Sequence, residues 1–205
     1  MIITKIEYQK NINRVNIYID NKFAFGLTDE IRFKYGLRVN EIIEQVFIDD
    51  VLKAEELNKV IFNALNLLSY RQRSEKEIVD ALRKKGFDET SIDKTILYLY
   101  ENKYLDDNAF ATSFINDKKN LNKLGSTRIK YELLKKGVSK EVIENTLEID
   151  LDEEYEIALE LATKKLNSYK DQDKNSIYRK LGGFLQRKGY PYDVVSKVLR
   201  NLLNE

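Results

Sequence analysis

The 205-residue chain contains no cysteine and no histidine, and it has only one proline and eight glycines. Without cysteine there can be no disulfide, no thiolate nucleophile and no cysteine-based zinc site. Without histidine, the most common general base and the Ser-His and Cys-His dyads are excluded. Carboxylate pairs are still available for catalysis, but the sequence has no GxxxxGK[ST] phosphate-binding motif. The scarcity of proline and glycine favours a mostly helical fold.

Charge of both signs is abundant and almost balanced, with 35 basic and 34 acidic residues and a net charge of +1. This balance is not typical of a protein that coats DNA without sequence preference, so attraction to nucleic acid has to come from local basic patches. No run approaches the roughly 18 apolar residues of a membrane span. Lys5, Glu7 and Lys10 interrupt the first ten residues, which disfavours a secretory signal. We expect a cytoplasmic protein without membrane association.

The first thirty residues differ in pattern from the rest of the chain. Apolar side chains occupy alternate positions in two stretches, at Val15, Ile17 and Ile19 and then at Phe23, Phe25 and Leu27. A period of two is typical of strands, and Asp20-Asn21 between the stretches is a tight-turn signal. The pattern predicts a small antiparallel β meander.

An internal repeat covers much of the remaining chain. It is measured from three glycines, Gly86, Gly137 and Gly189, which are separated by 137 − 86 = 51 and 189 − 137 = 52 residues. The five positions at −8, −4, +1, +6 and +10 from each glycine are apolar in all three copies, and a basic pair precedes each glycine. Shared columns of this kind identify a repeated structural unit.

The repeated sequence is typical of a helix that ends at a glycine and is followed, after a tight turn, by a second helix. A glycine just after a helix adopts the left-handed conformation that a Cβ disfavours, and the residues at −4 and +1 then make an apolar contact. The helix dipole favours the basic pair at the end of the helix. The repeated segment is therefore a structural hinge and not a triplicated active site.

Each repeat also carries an earlier helix. We therefore predict a mainly α fold, an elongated tandem array of three three-helix repeats preceded by the β meander, with a long surface for a partner. The predicted domains are the β meander at 1–30, a connecting helical segment at 31–50, and repeats at 51–105, 106–150 and 151–205.

Two runs, 118–131 and 174–192, each contain five basic residues and no acidic residue. Such runs are most often solvated faces. If Ser126 and Ser176 are N-caps, however, basic residues occupy first helical turns, where the dipole disfavours them by about 0.3–1 kcal/mol. In the first repeat, Ser74 with Glu77 instead matches the stabilising capping box.

We predict that the basic residues which accept this cost bind a polyanion or an acidic protein surface. The candidate partner-binding residues are Arg71, Arg73, Lys118, Lys119, Lys123, Arg128, Lys130, Lys174, Arg179, Lys180 and Arg187.

Other side chains that could carry chemistry have simpler interpretations. Tyr155 and Tyr169 lie on an apolar helical stripe and are expected in the core. Asp106-Asp107 looks like a paired carboxylate, but an aspartate that caps the following helix explains it better. We predict no catalytic residue, no metal site and no cofactor.

The chain resembles the RecX family of bacterial recombination regulators over essentially its whole length. The residues that carry the resemblance are "NIYIDNKFAFGL" (16–27), "SEKEIVDALRKKGF" (74–87), "YLDDNAFA" (104–111) and "GSTRIKYELLKKGV" (125–138). The third repeat matches least.

The resemblance implies three tandem three-helix repeats and a non-enzymatic, monomeric protein. It further implies binding to the RecA recombinase, above all to its filament on single-stranded DNA. Such binding limits filament growth, and with it ATP hydrolysis, strand exchange and co-protease activity, in recombination, DNA repair and the SOS response.

Two alternatives remain open from the sequence. One is a direct nucleic-acid-binding protein with helix-turn-helix-like repeats, in which Arg128, Arg179 and Gln186 would read bases. The other is an enzyme that uses an Asp/Glu pair such as Asp106 and Asp107.

Overall fold

The computed structural model describes residues 1–10, 13–169 and 172–203. Three strands come first, β1 (Ile3–Tyr8), β2 (Arg14–Ile19) and β3 (Lys22–Thr28). The helices are α1 (Asp29–Lys34), α2 (Gln45–Tyr70), α3 (Glu75–Lys84), α4 (Glu89–Glu101), α5 (Asp107–Asn120), α6 (Ser126–Lys135), α7 (Lys140–Thr146), α8 (Leu151–Leu166), α9 (Lys174–Lys188) and α10 (Tyr192–Leu203). A 3₁₀ turn at Asn167–Tyr169 follows α8. The predicted mainly helical fold with an N-terminal antiparallel sheet is confirmed.

The strands form an antiparallel sheet in the order β1-β2-β3. Asp20 and Asn21 have positive φ angles of 48° and 63°, the conformation of a two-residue hairpin turn whose twist suits the flanking strands. Val15 and Ile17 are fully buried in the core between the sheet and the helices. The alternation that predicts β2 therefore also identifies the buried face of that strand.

The alternation fails at the start of β3, where Phe23 is 60% exposed. Ile17 pairs with Phe25 but the next residue of β2, Tyr18, pairs with Phe23, so Ala24 is an extra residue in β3. A bulge of this kind moves the preceding side chain to the other face of the sheet. The ring of Phe23 consequently lies 5.9 Å from that of Tyr18 in an edge-to-face contact.

The segment predicted as a connecting helical region, residues 31–50, is helical only near its two ends. Helix α1 ends at Lys34 and α2 begins at Gln45. Between them the chain turns and forms a single β-bridge between Ile42 and Ile2. The sheet, α1 and the first half of α2 enclose one apolar core.

All three repeat glycines end a helix in the left-handed conformation, with φ angles of 86°, 84° and 91° at Gly86, Gly137 and Gly189. In each repeat the amide at +1 donates to the carbonyl at −4, over 3.4 Å from Phe87, 3.1 Å from Val138 and 3.2 Å from Tyr190. These are the bonds of the Schellman motif. The predicted hinge is confirmed in every copy.

The chain divides into two compact units, Met1–Arg71 with Val79–Tyr104, and Gln72–Ile78 with Leu105–Glu205. The second unit contains two apolar clusters, one among α5, α6 and α7 and the other among α8, α9 and α10. Leu133 and Leu185, the −4 residues of their repeats, are fully buried in these clusters. Truncating such a side chain to alanine costs about 2–5 kcal/mol.

Candidate functional site

The opening turn of α3 contacts the end of α6 within the second unit. The hydroxyl of Ser74 donates to the carbonyl oxygen of Lys136 over 2.7 Å, and Lys76 Nζ donates to that of Lys135 over 3.2 Å. Carbonyls at a helix end have no intrahelical partner, so these bonds satisfy groups that α6 leaves free. We call this contact the α3–α6 junction.

The α3–α6 junction is also paired in charge. Lys136 Nζ lies 2.6 Å from a Glu77 carboxylate oxygen, and both side chains are mostly shielded from solvent. The same ammonium lies 5.8 Å and 5.4 Å from the ring centroids of Phe110 and Phe114, within cation–π range. The basic residue at this helix end is therefore engaged inside the fold.

A second contact, the α6–α9 junction, repeats the arrangement one repeat further along the chain. Gly125, which lies 137 − 125 = 12 residues before its repeat glycine, corresponds to Ser74, since 86 − 74 = 12. The amide of Gly125 donates to the carbonyl of Lys188 over 3.0 Å, and the amide of Thr127 to that of Gly189 over 3.2 Å. The opening turn of α6 thus contacts the end of α9 directly through its backbone.

The two backbones approach so closely that there is no room for a side chain at Gly125. A Cβ at this position would lie 2.4 Å from the carbonyl oxygen of Gly189 and 2.6 Å from the amide nitrogen of Tyr190. The Tyr190 hydroxyl adds a hydrogen bond of 3.0 Å to the carbonyl oxygen of Lys123. Glycine at 125 is therefore a steric requirement of this junction.

The helix caps differ from those predicted. Gly125 is the N-cap of α6, and Ser126 is its first residue, whose amide donates to the buried carboxylate of Glu154 over 2.5 Å. Asp173 caps α9 by accepting the Ser176 amide over 2.9 Å. The prediction that Ser126 and Ser176 are N-caps is wrong, because a carboxylate from a neighbouring helix and an earlier aspartate take these roles.

The cap positions change the dipole argument for the basic residues. Arg128 still lies in the first turn of α6, but α9 begins at Lys174, so Arg179 and Lys180 lie in its second turn. Only Arg128 opposes the dipole of its helix among these three. The Nε–H of Arg128 donates to Glu132 over 2.8 Å. Partial burial disfavours ionisation of Glu132, but the hydrogen bond from Arg128 and the charge of Lys118 outweigh it and lower the pKa of Glu132.

Three of the predicted partner-binding lysines pair with carboxylates of their own unit. Lys118 lies 3.5 Å from Glu132 and Lys130 lies 3.8 Å from Glu144. Lys119 lies 3.7 Å from Glu153 and also donates to the carbonyl of Glu148. These lysines support contacts among helices of the second unit.

Four of the predicted residues lie together beside the α6–α9 junction of the second unit. Arg128 and Arg187 line one shallow depression together with Lys188, and Arg179, Lys180 and Arg187 line another. The shared residue, Arg187, joins the two depressions. We call the five cations Arg128, Arg179, Lys180, Arg187 and Lys188 the basic surface.

The remaining predicted residues lie elsewhere. Arg71 ends α2 in the first unit, whereas Arg73 precedes α3 and Lys174 opens α9 in the second. Lys123 has a positive φ of 50°, and its carbonyl oxygen accepts the hydrogen bond from the Tyr190 hydroxyl. Its backbone therefore has a structural part in the α6–α9 junction.

Sequence reasoning missed three residues of this region. Lys188 belongs to a predicted basic pair but is not among the predicted partner-binding residues, and its Nζ donates to the carbonyl of Asn122 over 2.8 Å. Tyr169 packs on the α8–α10 core as predicted, yet it also lines the second depression. The sequence does not indicate that Glu154 is buried, because several of its neighbours are also acidic. Its burial is evident only from the fold.

Asp106 and Asp107 each accept hydrogen bonds from backbone amides of helix starts. Asp106 caps α5 by accepting the amides of Asn108 and Ala109, as predicted. Burial raises the pKa of the Asp107 carboxyl, which accepts the amide of Glu75 at the start of α3 over 3.3 Å. Within residues 1–10, 13–169 and 172–203 no three acidic side chains gather in a geometry that could hold a metal ion. Among the same residues, none of the helices combines the length and the apolar composition that a membrane span requires.

The fold and this site define a protein of tandem three-helix repeats with a shallow basic surface. Four family models match it in order, namely the N-terminal domain of regulatory protein RecX at residues 1–44 and the first, second and third three-helix domains of RecX at 63–99, 106–147 and 152–199. The chain belongs to the RecX family of regulatory proteins.

Curated relatives agree over nearly the full length. Regulatory protein RecX of Clostridium botulinum (strain Eklund 17B / Type B) is 39% identical, with 98% of this chain and 96% of that protein covered. The RecX protein of Clostridioides difficile (strain 630) is 38% identical, with 99% and 96% covered.

Two solved structures share the fold. A crystal structure of regulatory protein RecX matches with a TM-score of 0.82 at 27% identity, covering 96% of this chain and 98% of that one. The crystal structure of RecX from Lactobacillus salivarius matches with a TM-score of 0.66 at 29% identity, covering 73% and 97%.

Proposed function

We propose that this protein is a non-enzymatic regulator that binds RecA and its filament on single-stranded DNA. Binding limits filament extension and thereby ATP hydrolysis, strand exchange and co-protease activity in recombination and DNA repair. The observation that carries the proposal is the basic surface, which gathers residues of two repeats in a chain of the RecX family. The protein acts as a cytoplasmic monomer, without cofactor or metal.

The charge distribution supports a partner of this kind. A net charge of +1 gives little general attraction to DNA, while the basic surface concentrates cations beside the α6–α9 junction. A filament offers both a protein surface and phosphates, so several weak contacts combine at one binding event. Free DNA, by contrast, offers only the phosphates.

The test is an ATPase assay with RecA, single-stranded DNA and ATP. The wild-type protein is expected to inhibit hydrolysis when it is present at or below the concentration of RecA. Absence of inhibition at that ratio would reject the proposal.

The basic surface is tested by Arg128→Glu combined with Lys180→Glu, which should weaken inhibition while circular dichroism shows unchanged helix content. A matched control is Lys140→Glu with Lys164→Glu, which makes the same change of charge at exposed positions outside the two depressions. Equal potency of the two double variants would exclude the basic surface as the contact.

A titration separates this proposal from the direct nucleic-acid-binding alternative. A direct reader of bases binds free single-stranded or double-stranded DNA tightly and with sequence preference. A filament regulator inhibits at concentrations well below those at which it saturates free DNA. Anisotropy titrations at two salt concentrations give this comparison.

A further inference from the structure

The two depressions of the basic surface lie side by side in the second unit because both include Arg187. Their volumes are 280 Å³ and 380 Å³, and both open to solvent. The described side chains that line them are Leu124, Arg128, Glu132, Phe184, Arg187 and Lys188 in the first, and Tyr169, Ser176, Arg179, Lys180 and Arg187 in the second. A shallow pair of neighbouring depressions suits a chain molecule that runs along the surface.

The charges of these linings favour an anion in each depression. Among the described lining residues, five are cationic and only Glu132 is acidic. Glu132 already accepts the Nε–H of Arg128, so its charge is matched within the protein. No described carboxylate faces Arg179, Lys180 or Arg187 among the lining residues of the second depression.

Three of the five cations are arginines, whose planar guanidinium groups fit the oxygens of a phosphate. Arg187 lines both depressions and therefore lies between the two places at which the linings favour an anion. Lys180 and Lys188 hold their ammonium groups against the protein, over 2.6 Å to Gln172 Oε1 and 2.8 Å to the Asn122 carbonyl. Anchored cations lose less freedom when a ligand binds.

An aromatic ring borders the second depression. Tyr169 is half-buried, and the ammonium groups of Lys165 and Lys180 lie 5.5 Å and 5.9 Å from its ring centroid. An aromatic ring beside a cationic groove is the arrangement with which proteins bind single-stranded nucleic acid, since a base stacks on the ring while the backbone follows the cations. An acidic protein surface would use the cations but leave the ring without a stacking partner.

We propose that the basic surface binds the phosphodiester backbone of a single DNA strand, with Arg187 between two successive phosphates and one base stacked on Tyr169. The inference rests on the proposed function, because it names the strand as the component of the filament that this surface contacts. It assigns to the repeat junction a direct contact with nucleic acid, in place of an acidic face of the recombinase.

The first experiment measures binding of a fluorescent oligothymidylate to the isolated protein by anisotropy at low salt and at two further salt concentrations. Arg187→Glu is expected to weaken binding about tenfold. The negative slope of log K against log salt should become shallower by about 0.7 for each phosphate that the variant no longer neutralises. Arg187→Lys keeps the charge but removes the planar fork, so an intermediate effect is expected. The control Lys140→Glu should leave affinity and slope close to those of the wild type.

The ring is tested by a matched pair of variants. Tyr169→Phe keeps an aromatic ring and should bind as the wild type does. Tyr169→Leu keeps an apolar side chain against the core but removes the ring, and about a fivefold or larger decrease in affinity is expected. Equal affinities of these two variants would overturn the stacking contact.

A crosslinking experiment then examines the filament itself. An oligothymidylate that contains 4-thiothymidine is assembled with RecA and the protein, irradiated and digested, and the crosslinked peptides are identified by mass spectrometry. The expected peptides carry Tyr169 or Arg187. Inhibition of the ATPase without such crosslinks, and with undiminished potency of Arg187→Glu, would overturn the inference while the proposed function stands. Oligothymidylate binding that depends on Arg187 without any effect on RecA would support the inference and reject the proposed function.

Discussion

The two junctions of the second unit use the same contact but treat charge differently. In both, the opening turn of one helix covers the end of another, with the α3–α6 junction based on Ser74 and the α6–α9 junction on Gly125. Nine residues before Gly86, the α3–α6 junction has Glu77, which pairs with Lys136. The second has Arg128 at the corresponding position, near Lys188.

The difference shows how one substitution at an equivalent position changes the charge of a junction. At the α3–α6 junction, the ion pair with Glu77 neutralises Lys136, a cation that the dipole favours at the end of α6. Replacing the glutamate by an arginine leaves the geometry of the repeat intact and releases positive charge to the surface. The decrease in stability is small, since partly exposed ion pairs contribute about 0–1 kcal/mol.

The largest expected effect follows from the close approach at Gly125. Gly125→Ala places a Cβ 2.4 Å from a backbone oxygen, and backbone atoms cannot rotate away, so a decrease of about 3 kcal/mol or more in the free energy of unfolding is expected. Gly183→Ala in α9 is the control, because its Cβ would meet only the flexible end of Arg187 at 3.2 Å. That variant should be neutral or more stable by up to about 1 kcal/mol. Urea denaturation measures both, and equal stabilities would show that the α6–α9 backbone contact is absent.

The next effect belongs to the α3–α6 junction. Ser74 is fully buried, donates to the Lys136 carbonyl and accepts the amide of Glu77 over 3.3 Å. Ser74→Ala removes a cap and takes the hydroxyl donor away from the partly buried Lys136 carbonyl, so a decrease in stability of about 1–2 kcal/mol is expected. Ser126→Ala is the matched change at the other junction, and a smaller decrease is expected because Ser126 uses its backbone amide there. Equal decreases for the two serines would contradict the distinction between the junctions.

A pH titration separates the junctions by chemistry. Position +1 is Val138 at the α3–α6 junction but Tyr190 at the α6–α9 junction. Burial raises the pKa of the Tyr190 phenol well above its usual 10.0, and the charges of Glu154 and Glu160 add to the shift. The unfolded chain therefore releases this proton first as the pH rises through 10.0, so stability falls above that pH.

The slope is at most about 1.4 kcal/mol per pH unit for one proton. Thermal denaturation of the wild type and of Tyr190→Phe between about pH 8 and pH 11 gives the contribution of this group. Tyr190→Phe should be less stable at neutral pH, since it lacks the bond to Lys123, and its stability should fall less on the alkaline side. Parallel curves for the two proteins would exclude the tyrosine as the source.

The smallest effect concerns the ion pair. Glu77→Gln should lower stability by about 0.5 kcal/mol at low salt and by less at high salt, because screening weakens a partly exposed pair. Arg128→Gln, the equivalent neutralisation, should lower stability less, since it also removes a cation from the first turn of α6. Chemical denaturation at two salt concentrations measures both. A larger decrease for Arg128→Gln would reverse the proposed roles of the two junctions.

The sequence predicts what local rules decide. The three hinges follow from glycine with its apolar neighbours, because the Schellman motif involves only adjacent residues of one chain segment. The predicted caps at Ser126 and Ser176 are wrong, since the capping rule considers one helix at a time. Gly125 meets a residue 189 − 125 = 64 positions further along the chain, and no local pattern contains that contact.

The same limit applies to the basic residues. The two basic runs are visible in the sequence, but it does not show that Lys119 pairs with Glu153 of α8 whereas Arg187 faces an open depression. The bulge at Ala24 likewise depends on pairing between strands. Tertiary partners therefore decide which members of a charge run remain available.

Helix α6 carries one junction at each of its ends, receiving α3 on its last carbonyls and covering α9 with its first turn. Each repeat therefore accepts the start of the preceding repeat's helix at the end of its own helix and places the start of that helix on the end of the next. A repeat with this head-to-tail contact can be duplicated without creating a mismatch on either side. Duplication of one such repeat would lengthen the protein by one complete junction, so the number of repeats is open to evolutionary change while steric fit maintains the contact between them.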